Sequence, residues 1–108
     1  MTPDEKYLER VAELDGGILH EIREERIRQH AEEGWTPEHD DQHGAGELAR
    51  GAACYAMTRI IDDGWLLKQL WPWDLRWWKP KSRRQDLIRA ASLLVAEIER
   101  LDRAGSRQ

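Results

Sequence analysis

Glycines and prolines cut this chain into helical lengths, and almost nothing in it alternates as a strand would. β-branched residues are few, and sustained alternation of apolar with polar, the pattern that a half-buried strand requires, is nearly absent. Thr2 is a fair N-cap with Pro3 at the first helical position, which predicts an N-terminal helix over 3–15. Gly16 and Gly17 interrupt it. A second helical run goes from Ile18 to Glu33 and is stopped by Gly34. Trp35 to Ala45 is polar and turn-rich, and a third helix is predicted over 46–62, stopped near Gly64. Pro72 and Pro80 forbid a continuous helix across Trp65 to Pro80. That segment reads as a long loop with one helical turn at Leu66–Leu70. Ser82 caps the last helix, predicted over 82–104, with Arg103 to Gln108 fraying. The expectation is one all-α domain: a bundle of three main helices plus the N-terminal helix, with a tryptophan-rich loop over one end.

Composition narrows the function classes. A chain of 108 residues has no room for two independent cores. Its 17 basic and 21 acidic residues leave a net charge of −4, which excludes a globally basic nucleic-acid surface and permits only a local patch. The single cysteine, Cys54, excludes a disulfide framework and a Cys-rich zinc site. No apolar run approaches the roughly 20 residues of a membrane span, and the acidic start is unlike a signal peptide. The expectation is a soluble, cytoplasmic protein with no membrane partner.

Each helix shows one apolar face, and polar residues intrude on it. In the last helix Leu87, Ala91, Leu94, Ile98 and Leu101 follow a 4-3-4-3 spacing, which predicts a packed seam. Glu97 projects between Leu93 and Leu94, inside that arc. A carboxylate there needs a partner, a metal or a raised pKa. In the second helix Ile18, Leu19 and Ile22 define the inner face, and its continuation brings Glu25, Arg26 and Gln29 inward with Glu21 on the flank. In the third, Leu48, Ala49, Ala52, Tyr55 and Ala56 point inward, their small side chains allowing close helix approach. Cys54 projects away from Ala52.

Two constellations carry candidate chemistry. Glu38-His39-Asp40-Asp41-Gln42-His43, followed by Glu47, is metal-ligand material: carboxylates suit Mg²⁺ or Mn²⁺, and imidazole favours transition metals. The same acids also serve as caps and first-turn residues. For a metal, Asp40 and Asp41 with Glu21 and Glu25 form the preferred set. The other constellation is Trp71-Pro72-Trp73-Asp74 with Trp77-Trp78-Lys79-Pro80. Such a loop caps the end of a small bundle, or stacks a base while Arg76, Lys79, Lys81, Arg83 and Arg84 hold phosphates. Lys79 to Arg84 lies beside a helix N-terminus, where anions are favoured. No Walker loop, GxSxG or HExxH is present.

The strings Glu25-Arg26-Ile27-Arg28-Gln29, Glu33-Gly34-Trp35-Thr36-Pro37-Glu38-His39-Asp40-Asp41, Gly46-Glu47-Leu48-Ala49, Trp71-Pro72-Trp73-Asp74 and Trp78-Lys79-Pro80 resemble a family of small phage and prophage proteins. Some of its members are loosely described as MazG-like. That resemblance implies an all-α homo-oligomer that uses Mg²⁺ to hydrolyse nucleoside triphosphates to monophosphate and pyrophosphate. Glu21, Glu25, Asp40 and Asp41 would be the catalytic, metal-holding carboxylates. Arg26, Gln29, Trp73, Trp77, Trp78, Lys79, Arg83 and Glu97 would contact the ligand. The MazG pattern also has a later Glu-x-x-Asp. Here Glu47 is followed three residues on by Arg50, and on the last helix the spacing occurs at Glu99 and Asp102. The alternative expectation is a non-enzymatic phage anti-defence protein that sequesters a nucleotide signal or binds a host defence protein. A third is a helical adaptor that needs no ligand.

Overall fold

The computed structural model describes residues 1–13, 16–61 and 64–105, and among them the fold is all-α. Six helices follow in order: α1 Pro3–Ala12, α2 Ile18–Glu33, α3 Pro37–Asp41, α4 Glu47–Met57, α5 Gly64–Leu70 and α6 Arg83–Arg103. A 3-10 turn, Leu75–Trp77, lies between α5 and α6. The helix starts are chemically marked. Thr2 and Glu5 close a capping box on α1, Thr36 caps α3 with Pro37 behind it, and Ser82 with Gln85 boxes the start of α6. Gly34 ends α2 in the left-handed conformation (φ 72°), which glycine adopts without strain. No described helix is long and apolar enough to cross a membrane.

α6 is the central element, packed against α4, α2 and α3, while α5 packs on α4. The core joins Leu48, Ala52, Cys54 and Tyr55 of α4 to Ala90, Leu93 and Ala96 of α6, closed by Trp71. Leu48 and Leu93 are fully buried, each worth roughly 1.5–3 kcal/mol of transfer free energy. α1 buries no residue, and its Tyr7, Leu8 and Val11 face solvent.

Four expectations change. The third helix ends at Met57, not 62: Arg59 turns into the left-handed region (φ 72°), and the Thr58 hydroxyl donates back to Cys54 O at 2.7 Å. Asp62 lies outside the described residues, as do Leu14 and Asp15 at the end of the predicted N-terminal helix and the terminal residues 106–108. The segment after Gly34 contains α3, and the segment after Gly64 begins with a helix longer than a single turn. Most consequentially, the Leu87–Leu94–Ile98 stripe is exposed, at 42%, 47% and 58%. α6 instead buries Asp86, Arg89, Ala90, Ser92, Leu93 and Ala96. The small side chains let α4 and α2 approach closely, and the polar ones are bonded inside. Ser92 donates to Ile22 O at 3.0 Å, Arg89 donates to Lys79 O, and Asp86 accepts from Lys81 N at 2.8 Å. On α2, likewise, Ile18 and Leu19 are exposed while Gln29 is buried.

Candidate functional site

The tryptophan loop divides into two groups. Trp71 is buried, set edge-on against Tyr55 (5.5 Å between ring centroids), Trp78 (4.7 Å) and Trp73 (5.1 Å). Its indole N–H donates to Asp74 O at 3.1 Å. Trp78 lies flat on Tyr55, 5.4 Å away with 2° between planes. These two rings are core. Trp73 also packs against the core, through Trp71, and its ring reaches on to Trp35 (5.8 Å) and His43 (5.7 Å). It can lie against α4 because position 51 is glycine: a Cβ there would stand 2.5 Å from Trp73 Cζ3. Trp77 is half-exposed, with the Arg76 guanidinium and the Lys79 ammonium 5.3 and 5.4 Å from its ring centroid, both in cation–π range.

Beside Trp73 and Trp77 a cavity of about 310 Å³ opens, lined by Glu33, Trp35, His39, Trp73, Asp74 and Trp77. Its far wall is built by the α2–α3 corner. The left-handed turn at Gly34 lets Trp35 N donate back to Gln29 O at 3.1 Å. Thr36 then starts α3, which lays His39 parallel to Trp35 (6.2 Å, 3°). The ring nitrogens of His39 face Asp40 Oδ1 (3.3 Å) and His43 Nε2 (3.4 Å), and His43 Nδ1 faces Glu47 Oε2 at 3.0 Å. Beneath them Asp40 is fully buried and accepts from Arg26 Nη2 at 2.5 Å, while Arg26 Nη1 donates to Trp35 O at 3.5 Å. A buried carboxylate is tolerable only with such a partner, so this pair fixes the corner that carries Trp35.

A second cavity, about 330 Å³, opens between α2 and α6 and is lined by Glu21, Glu24, Glu25, Arg28, Arg84 and Arg89 among others. Glu21 accepts two hydrogen bonds from Arg84, at 2.6 and 2.5 Å, and that bond holds its carboxyl below the usual carboxylate range. Burial pushes the Glu25 carboxyl up, but the paired 2.8 Å bonds and the charge of Arg28 override it, so the net shift is downward. Arg28 also donates to Glu33 at 3.0 Å, which ties the two cavities together. Gln29 Nε2 donates to Glu25 at 3.1 Å. Its Oε1 is buried and has no hydrogen-bond partner among the described residues.

The four carboxylates proposed for metal therefore do not converge. Glu21 and Glu25 share the second cavity, Asp40 lies under Arg26, and Asp41 is exposed and accepts from Arg103 at 2.8 and 3.0 Å. Each is engaged by a guanidinium, and among the described residues no group of three or more His, Cys, Asp or Glu is placed to hold a metal ion. As arranged, they do not fit an Mg²⁺ site.

The residues proposed to contact ligand also separate. Trp73 and Trp77 line the aromatic cavity, and Lys79 stands over Trp77. Trp78 is core. Arg83 donates to the carbonyls of Ala56 and Thr58, closing the end of α4. Arg26 serves Asp40, Gln29 serves Glu25, and Glu97 takes its partner from Arg100 at 2.6 Å. Cys54 is buried and donates to Leu67 O at 3.6 Å; burial pushes its thiol up to about 11. The protonated thiol is a poor nucleophile.

Glu33 and Trp35 are lining residues that sequence reasoning missed, and of the two Trp35 had a signal in the chain. The signal was present as an indole directly after a helix-ending glycine and before a Thr-Pro start, which pins it at a rigid corner. No protein-family model matches the chain, and neither a curated protein nor a solved structure matches it.

Proposed function

We propose that this chain binds a nucleotide-type ligand in the cavity of Trp35, Trp73 and Trp77, holding it intact rather than transforming it. The observation that carries this reading is the aromatic lining itself: three indoles from two distant parts of the chain surround a space of about 310 Å³, near the lower end of small-molecule sites. A base stacked on an aromatic side chain gains about 1–3 kcal/mol. Arg76 and Lys79, held over Trp77, supply positive charge for phosphate. Sequestration is the non-enzymatic alternative to the hydrolysis that the MazG-like resemblance implies.

Hydrolysis is the second reading, favoured by the three glutamates that line the other cavity. It requires Glu21 and Glu25 to leave Arg84 and Arg28 before they can take a cation. The test is calorimetric titration of nucleotides with and without Mg²⁺, followed by chromatography of the recovered ligand. Sequestration predicts Mg²⁺-independent binding and unchanged nucleotide. Monophosphate and pyrophosphate appearing only with Mg²⁺ would support hydrolysis, and no heat with any nucleotide would reject both.

A further inference from the structure

The polar lining of the aromatic cavity is acidic. Glu33, at the end of α2, and Asp74, before the 3-10 turn, are its charged members, and no lysine or arginine is among the described residues that line it. Each carboxylate is anchored by one oxygen. Glu33 Oε1 accepts from Arg28 Nη1 at 3.0 Å, and Asp74 Oδ1 accepts from the Arg76 backbone N–H at 2.9 Å. Glu33 Oε2 and Asp74 Oδ2 hold no hydrogen bond among the described residues. The ring nitrogens of His39 are directed to Asp40 and His43. A base entering between the indoles thus meets two carboxylate acceptors, beside one unpartnered donor among the described lining residues, the buried Trp73 indole N–H.

Among the common bases, guanine alone carries two adjacent donors on one edge, N1–H and the N2 amine, with no acceptor between them. Adenine and cytosine place a ring-nitrogen acceptor beside their amine, and uracil flanks its single N–H with carbonyls. Against a carboxylate those acceptors are repelled and left unpaired, which is the costly outcome. We propose that this cavity selects guanine, its N1–H and N2–H₂ edge turned to the Glu33 and Asp74 oxygens and its face on an indole. The acidic lining also repels phosphate, directing that end of the ligand out toward Arg76 and Lys79. This inference rests on the nucleotide-binding reading above.

The test is a tryptophan-fluorescence titration of the whole chain with GMP, IMP, AMP, CMP and UMP. GMP should bind at least about tenfold more tightly than AMP, with IMP between, because IMP lacks only the N2 amine; a hydrogen bond to a charged group is worth about that factor or more. Glu33→Gln and Asp74→Asn should erode the preference for GMP, weakening GMP and strengthening AMP as the repulsion of its ring-nitrogen acceptor is relieved. Asn retains the oxygen that caps the 3-10 turn, and a thermal melt confirms folding. If a variant does not fold, the GMP, IMP and AMP series on the unaltered chain still decides. AMP binding as tightly as GMP, or variants that weaken all nucleotides equally, would overturn guanine selection and leave nucleotide binding standing. Binding of none of the five would overturn both.

Discussion

Trp71 and Trp78 differ from Trp73 and Trp77 in what lies across from them. The first pair packs on Tyr55 and closes the core over α4, whereas Trp73 meets Trp35 and His43 and Trp77 carries two cations on its ring. Each pair has one ring in each half of the same loop. The chain has no phenylalanine, so indoles fill the core as well as line the cavity. Their division of labour follows from contacts made far away in sequence, at Tyr55 for one group and at Trp35 for the other.

Substitutions in the two groups should therefore separate stability from binding. Trp71→Ala has the largest expected effect, about 3–5 kcal/mol lost from folding stability, read by urea unfolding. Asp40→Ala comes next: it leaves the Arg26 guanidinium without its buried partner, at a cost of about 3 kcal/mol, and loosens the corner that holds Trp35. A melt of that variant should show the loss, and nucleotide affinity should fall with it. Trp77→Ala should leave stability within about 1 kcal/mol, since the ring is half-exposed. It should weaken nucleotide binding by about 1–3 kcal/mol, read by calorimetry. Equal stability losses at Trp71 and Trp77 would erase the distinction.

Two smaller effects sharpen the account. The folded Glu25 carboxyl titrates below its unfolded value, so its contribution is complete above the ordinary carboxylate range and disappears as pH falls through the folded value. Glu25→Gln should flatten that part of an acid-unfolding curve. Leu94→Gln should change stability by no more than about 0.5 kcal/mol, because the residue lies on the exposed stripe of α6; a core seam would lose several times more. Sedimentation of the same variant reads whether that stripe supports the homo-oligomer implied by the resemblance.

The helices were legible wherever the chain writes its own stops. Gly34 ends α2 at the predicted residue, and Ser82 opens α6 one residue after it. The end of α4 was not legible, because it depends on a left-handed Arg59 and a Thr58 side-chain bond, with neither glycine nor proline to announce them. The α6 face was misread for a different reason. Spacing identifies an apolar stripe, but close approach to α4 and α2 favours Ala90, Ser92 and Ala96 over the larger leucines. Helical projection did bring Glu25 and Gln29 inward correctly. It could not show that Arg28, three residues from Glu25, would engage that carboxylate. For the candidate cavity, Trp73 and Trp77 were visible as part of a cluster, whereas Trp35 joins them only through the tertiary fold.

The most direct test uses ¹⁵N-tryptophan-labelled protein and follows the indole N–H resonances during titration with GMP. The account predicts shifts at Trp35, Trp73 and Trp77, with Trp71 and Trp78 nearly unmoved. Shifts confined to Trp71 and Trp78, or none at saturating nucleotide, would contradict it.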